Sequence, residues 1–237
     1  MIYLYTGTPG SGKSYHVAKE IYYLLRKGRN IIANFFVNTD NIKKCKGHFV
    51  EKGNSEITVD YLLEYCKDNH KVDVKGRMLE HQTYLVIDEC QLLFNSRSWN
   101  DKGRDKWTSF FTQHRKYGFE IILVTQFDRL IDRQIRSLVE YEYRHRKANN
   151  YGLFGFLLGL LVFNSPIFVC VEYWYGMREK IGLSFSIYNP KYSRLYDSYK
   201  IFETLPAVLD ASVGGKGGKR SLPPAEVSGG VAVVSDV

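Results

Sequence analysis

Gly7-Thr8-Pro9-Gly10-Ser11-Gly12-Lys13-Ser14 decides the fold. The run satisfies G-x-x-x-x-G-K-[ST] and stands in the context that this pattern needs. Before it, Ile2–Thr6 is a short apolar run that reads as a buried strand. After it, Lys13–Lys27 carries Val17, Ala18, Ile21, Leu24 and Leu25 at helical spacing, with Gly28 as the stop. Glycines permit positive φ, so backbone N–H groups can close on phosphate oxygens, and the N-terminus of the following helix adds partial positive charge. Lys13 is expected to reach the β- and γ-phosphates of ATP and the Ser14 hydroxyl to ligate Mg²⁺. Gly7, Thr8, Pro9, Gly10, Ser11 and Gly12 complete the expected nucleotide loop; Pro9 has no N–H, so it shapes the loop without donating.

Outward from the loop, strands and helices alternate. Asn30–Val37 reads as a second strand, residues 38–56 as loop, Tyr61–Lys67 as a short helix and Thr83–Ile87 as an apolar strand. Lys106–Tyr117 reads as a helix closed by Gly118, Ile121–Thr125 as a wholly apolar strand, and Asp128–Leu138 as a helix. Strands that are apolar on both faces and separated by helices predict an α/β domain with a largely parallel sheet covered on two sides.

Tyr84-Leu85-Val86-Ile87 runs into Asp88-Glu89. Asp88 is placed to hold Mg²⁺ through water, and Glu89, pointing elsewhere, to polarise an attacking water. Gly-x-Pro-Gly-Ser-Gly-Lys is also reminiscent of nucleotide kinases, but a kinase needs no water-activating carboxylate, so the acidic pair favours hydrolysis. Ile121–Thr125 leads to Gln126, whose amide at a strand tip is a candidate sensor of the attacking water and γ-phosphate. Arg115 before this strand and Arg136 after it are candidates for an arginine presented across a subunit boundary.

Three stretches then resemble the zonular occludens toxin (Zot) family: Gly7–Ser14, Val86-Ile87-Asp88-Glu89, and His114-Arg115-Lys116-Tyr117-Gly118-Phe119-Glu120-Ile121 leading to Thr125-Gln126. Asn34 and Tyr196-Asp197-Ser198-Tyr199 are similar to family features as well. Position 116 is Lys, where the family is associated with a second histidine or similar residue. The resemblance covers residues 1–205 and includes ATPases that assemble filamentous phage. It implies a P-loop NTPase of the ASCE (RecA-like) type, related to DNA pumps, with a C-terminal β-containing extension. It further implies ATP and Mg²⁺ as cofactors, a homo-oligomer, and phage coat and assembly proteins as partners. Single-stranded DNA is a further partner that it suggests. The expected location is the cytoplasmic face of the host inner membrane. A DNA-translocating or packaging ATPase without an export role, and a nucleotide-gated assembly scaffold, stand as alternatives.

Composition agrees with a globular domain: 237 residues, 44% apolar, 24% charged, mean hydropathy −0.29. These values exclude disorder along the whole length and a polytopic membrane protein. The net charge is +8, and residues 1–150 hold 25 basic against 18 acidic side chains, so that part carries the charge for any anionic partner. Cys45, Cys66, Cys90 and Cys170 form no C-x-x-C pair and have no histidine at ligand spacing, which argues against a zinc site or a disulfide framework. The N-terminus does not read as a signal peptide. Leu153–Val171 is 19 residues without a charge, preceded by Arg144-His145-Arg146-Lys147. By length and flank it could span a bilayer, but Asn164-Ser165-Pro166 interrupts it and Ile167–Tyr175 reads as strand, so a buried or membrane-apposed hairpin is the favoured expectation. Residues 206–237, rich in glycine, are expected to be a disordered tail.

Overall fold

β4 (Thr83–Ile87) and β5 (Phe119–Val124) lie side by side in the middle of a computed structural model of the chain. The structure describes residues 1–96, 103–147 and 165–196. β1 (Ile2–Thr6) pairs parallel with β5, and β2 (Asn30–Ala33) parallel with β4. β3 (Phe49–Glu51) adds a parallel edge beyond β2, and β6 (Tyr141–Lys147) a parallel strand on the far side of β1. β7 (Ile167–Trp174) and β8 (Glu179–Ile187) extend the sheet as an antiparallel hairpin. The order across the eight strands is β3-β2-β4-β5-β1-β6-β7-β8.

Alternation along the central strands divides two cores. Leu85, Ile87, Ile121 and Leu123 face one layer, with Leu62 and Cys66 of α2 (Val59–Asn69) and Phe110 and Phe111 of α3 (Arg104–Gln113). Val86, Ile122 and Val124 face the other, against Val17, Ala18, Ile21 and Leu25 of α1 (Lys13–Arg26). Burial on both faces is why these strands are continuous apolar runs.

Several expectations change at the sheet margins. β2 ends at Ala33 rather than Val37. Phe35 and Val37 stay buried after the ladder ends, and Val37 makes an isolated antiparallel bridge with Tyr196, so the apolar pattern outlasts the strand. Within the expected loop 38–56, three residues form β3, too short to show a period. The helix expected over 106–117 begins at Arg104 and tightens into a 3₁₀ turn at His114–Tyr117 before Gly118. The helix expected over 128–138 is a 3₁₀ turn, Asp128–Leu130, followed by α4 (Arg133–Ser137), because Asp132 breaks it as an N-cap that accepts from Gln134 N–H at 2.9 Å. Arg144, Arg146 and Lys147, expected as a flank, belong to β6. The β-containing extension is β7 and β8, and Ile167–Val171 lie in β7, so those residues are strand and not part of a helical span. The remaining apolar residues, 153–164, and the tail from 206 lie outside the described residues. Among the described residues no helix is long and apolar enough to cross a membrane.

Gly118 shows how closely the entry to β5 is packed. Its φ is +78°, and a Cβ there would stand 2.8 Å from the Leu79 carbonyl oxygen and 2.9 Å from His70 Nδ1. Gly28 has a similar φ of +83°, but the nearest atom to its Cβ would be 3.7 Å away. Gly118→Ala is therefore expected to lower stability by about 2–3 kcal/mol and Gly28→Ala by only about 1 kcal/mol. Urea midpoints at unchanged slope measure both; equal losses would show that the contacts at Gly118 do not matter.

Candidate functional site

Because β1, β4 and β5 are parallel neighbours, their C-terminal ends open on one edge of the sheet, and each hands the chain to a polar segment there. After β1 comes the glycine loop. Gly10 and Gly12 have φ of +74° and +94°, conformations that turn successive N–H groups inward. Gly12 is the N-cap of α1, with no side-chain cap and no acid in the first turn, so the helix N-terminus is left for an external anion. The Gly7 N–H donates to the Gln126 carbonyl at 3.2 Å, tying the loop to the end of β5. Lys13 is buried, and its Nζ donates to the carbonyls of Gly7 at 2.6 Å and Thr8 at 3.3 Å. Burial pushes its pKa below the usual lysine value, while Glu89 and Asp88 pull it back up. Lys13 and the two carboxylates thus share one field.

Asp88 is held from four sides. Its N–H donates to Asn34 Oδ1 at 2.7 Å and its carbonyl accepts from Asn34 Nδ2 at 2.8 Å, so one amide side chain after β2 clamps the backbone. Its Oδ1 accepts from the Glu89 N–H at 2.8 Å and its Oδ2 from the Tyr196 hydroxyl at 2.5 Å. Burial raises the Asp88 pKa, and the bonds from Tyr196 and the Glu89 N–H oppose the rise. The Tyr196 phenol also meets the Ser14 side chain, and its ring packs edge-on against Phe35 at 4.8 Å. Burial and the Asp88 charge push the Tyr196 pKa well up, so the phenol stays a donor. Ser14 and Asp88 are therefore both neighbours of the Tyr196 phenol. A hydroxyl and a carboxylate are hard oxygen donors, the small set that Mg²⁺ takes from a protein when phosphates supply the rest. In the loop, Ser11 Oγ is buried with no partner among the described residues, which also suits a polar guest.

Glu89 sits at φ +46°, a left-handed conformation unusual for a glutamate, which costs about 1–2 kcal/mol. Gln91 Nε2 donates to Glu89 Oε2, and Gln91 Oε1 accepts from Thr125 Oγ at 2.8 Å. Gln126 follows Thr125, and its side chain makes no hydrogen bond among the described residues.

Lys13, Ser14, Asp88, Glu89 and Gln126 are thus brought to one edge. The two arginine candidates part company. Arg115 precedes β5, at the opposite end of that strand from Gln126, and pairs with Glu140 at 2.7 Å. Arg136 is on the site's side: an open cavity of about 850 Å³, lined by Gly7, Thr8, Gln126, Arg129, Arg144 and Arg146, adjoins one of about 920 Å³ lined by Arg129, Arg133, Arg136, Arg144 and Arg178. Sequence reasoning missed Gln91, the contact of Tyr196 with Asp88, and the role of Asn34 as a clamp. Asn34 and Tyr196 are similar to family features in the sequence but carry no role there, and Gln91 stands two residues past Glu89.

A sequence model of the family described as zonular occludens toxin matches residues 1–199. The Gene 1 protein of Enterobacteria phage fd is 31% identical over 141 residues, covering 57% of this chain and 39% of that protein. The Gene 1 protein of Salmonella phage IKe is 29% identical over 170 residues, covering 68% of this chain and 44% of that protein. The chain thus spans less than half the length of either relative. A solved ATPase domain of another protein superposes with a TM-score of 0.52 at 11% identity, covering 83% of this chain and 84% of that one. That likeness concerns the fold, which with the strand order and the glycine loop is that of the P-loop NTPases.

Proposed function

We propose that this chain, which belongs to the zonular occludens toxin family, is the ATP-hydrolysing motor of filamentous-phage assembly and extrusion. It works as a homo-oligomer at the cytoplasmic face of the host inner membrane. The observation that carries the reading is the opening of three neighbouring parallel strands on one edge with a phosphate loop, an acidic pair and a polar amide. The match to phage Gene 1 proteins supports the assembly role. The membrane side of the proposal rests on the family relationship.

In this reading the loop N–H groups and the α1 N-terminus receive the β- and γ-phosphates, and Lys13 leaves the Gly7 and Thr8 carbonyls to meet them. Glu89 accepts a proton from the water whose oxygen bonds to the γ-phosphorus. The bond from phosphorus to the β–γ bridging oxygen breaks, and ADP keeps the electron pair. Gln126 donates to the water or the γ-phosphate. Ser14 and Asp88 are the residues that would hold Mg²⁺, which supplies neutralisation of charge on the phosphate oxygens. Arg136 is the arginine offered to a neighbouring copy, from the side of the sheet on which the loop opens. Coat and assembly proteins and single-stranded DNA are the proposed cargo.

ATP turnover measured against protein concentration, with and without single-stranded DNA, tests the reading. The rate per subunit is expected to rise with concentration to a plateau, because a shared site is complete only in the oligomer. A rate per subunit independent of concentration would remove the shared site. Stimulation by DNA greater than about tenfold would shift the reading toward a DNA translocase.

A further inference from the structure

Thr125, Gln91 and Glu89 form a continuous chain of hydrogen bonds. Thr125 is wholly buried at the end of β5, one peptide bond from the sensor candidate Gln126. Its hydroxyl donates to Gln91 Oε1 at 2.8 Å and lies 3.3 Å from the Phe127 carbonyl oxygen. Gln91 Nε2 donates to Glu89 Oε2. The direction of these bonds follows from chemistry. An ionised carboxylate only accepts, so the amide must turn its NH₂ toward Glu89. That leaves Oε1 facing Thr125, whose hydroxyl must then donate. Each member fixes the next, and one carboxylate oxygen, Oε1, is left without a partner among the described residues for an incoming water.

We propose that Gln91 is a positioning residue that aims the Glu89 carboxylate and makes that aim depend on the end of β5. The inference rests on the hydrolase reading above and adds to it a coupling between two strand ends. Gln126 and Thr125 are consecutive, and the Gln126 carbonyl accepts from the Gly7 N–H of the phosphate loop at 3.2 Å. A shift of this segment when a γ-phosphate arrives or leaves is passed through the Thr125 hydroxyl to the Gln91 amide, and from there to the base. Gln91 touches neither water nor phosphate in this scheme; it sets which way Glu89 faces.

Steady-state turnover and the affinity for Mg²⁺ with ATPγS, measured on Gln91→Ala, Thr125→Val and the double variant, test the coupling. Gln91→Ala is expected to lower kcat about tenfold to a hundredfold, with KM and ATPγS affinity within about twofold of wild type, because only the aim of the base is lost. Thr125→Val keeps side-chain volume and removes the donor, and is expected to lower kcat about threefold to tenfold. The double variant should match Gln91→Ala alone, since both act through one chain of bonds. Gln91→Glu, which sets a carboxylate against a carboxylate, should turn over more slowly than Gln91→Ala while still binding ATPγS. Wild-type kcat in Gln91→Ala, multiplicative losses in the double variant, or a loss of ATPγS affinity as large as the loss of kcat would each overturn the proposal. Glu89→Gln runs alongside. If it is inactive while Gln91→Ala is unimpaired, only the coupling fails; if it turns over normally, the hydrolase reading fails and takes the coupling with it.

Discussion

Lys13→Ala loses ATP turnover by at least about a hundredfold to a thousandfold, the effect of removing one preorganised charged donor from a transition state. The structure explains why no neighbour replaces it. The Lys13 ammonium is buried and borrows the Gly7 and Thr8 carbonyls as its partners, at 2.6 and 3.3 Å. Asp88 and Glu89 lie close enough to raise its pKa against the effect of burial. Remove the ammonium, and two carboxylates remain beside the place where a triphosphate must sit, offset only by N–H dipoles and by the Mg²⁺ that Asp88 and Ser14 would hold. Repulsion from that pair should therefore weaken nucleotide binding as well as turnover. Calorimetric titration with ATPγS should show affinity reduced by about tenfold or more. Lys13→Arg keeps the charge but lengthens and flattens the head group in a tight loop, so it should recover part of the binding and little of the turnover. Wild-type turnover in Lys13→Ala would mean that phosphate chemistry happens elsewhere in this chain.

The residues most legible in the sequence are those whose signal is local. Gly7–Ser14 is contiguous and flanked by a strand and a helix, and Asp88-Glu89 follows an apolar run directly. Gln126 required one further inference, that an apolar strand tip faces the same edge as the acidic one, and the parallel pairing of β4 with β5 meets that condition. What stayed hidden depends on contacts distant in the chain. Tyr196 reaches Asp88 across 108 residues, and Asn34 across 54, and no local period announces either contact. β6 was hidden for another reason. Its sequence, Tyr-Glu-Tyr-Arg-His-Arg-Lys, is polar, yet Glu142 and His145 are buried, with Glu142 accepting from Thr6 Oγ at 2.7 Å and His145 bonded to the Thr6 carbonyl at 3.2 Å. A strand that buries polar groups in hydrogen bonds does not look like a strand by hydropathy. The arginines divide on contacts that chain order does not give: Arg115 pairs with Glu140, whereas Arg136 lies 3.4 Å from the Asp128 carbonyl oxygen and lines a cavity with Arg129.

Glu89→Gln separates binding from chemistry more cleanly than Lys13→Ala, because it changes one oxygen to nitrogen and little else. The left-handed backbone at Glu89, φ +46°, belongs to the turn after β4 and does not depend on the side chain being charged. A glutamine oxygen still accepts from Gln91 Nε2, so the aim set through Thr125 survives in the variant. The Asp88 contacts with Asn34, the Glu89 N–H and Tyr196 involve backbone or other side chains, so the residues that would hold Mg²⁺ stay arranged. What is lost is the capacity to take a proton from water, worth about a hundredfold to ten-thousandfold in rate. Loss of a negative charge beside the triphosphate should, if anything, tighten nucleotide binding, the opposite sign to Lys13→Ala. The expected result is a chain that binds ATP at least as well as wild type, turns it over at least about a hundred times more slowly, and accumulates in its nucleotide-bound oligomer. On the proposed oligomeric motor, that variant should block assembly in phage-producing cells even when wild-type chains are present, because a stalled subunit would share its assembly with active ones. Normal phage yield from Glu89→Gln together with abolished turnover would favour the nucleotide-gated scaffold over the motor, since binding alone would then suffice. Turnover at the wild-type rate would remove Glu89 as the base and, with it, the reason for reading the end of β4 as the hydrolytic half of the site.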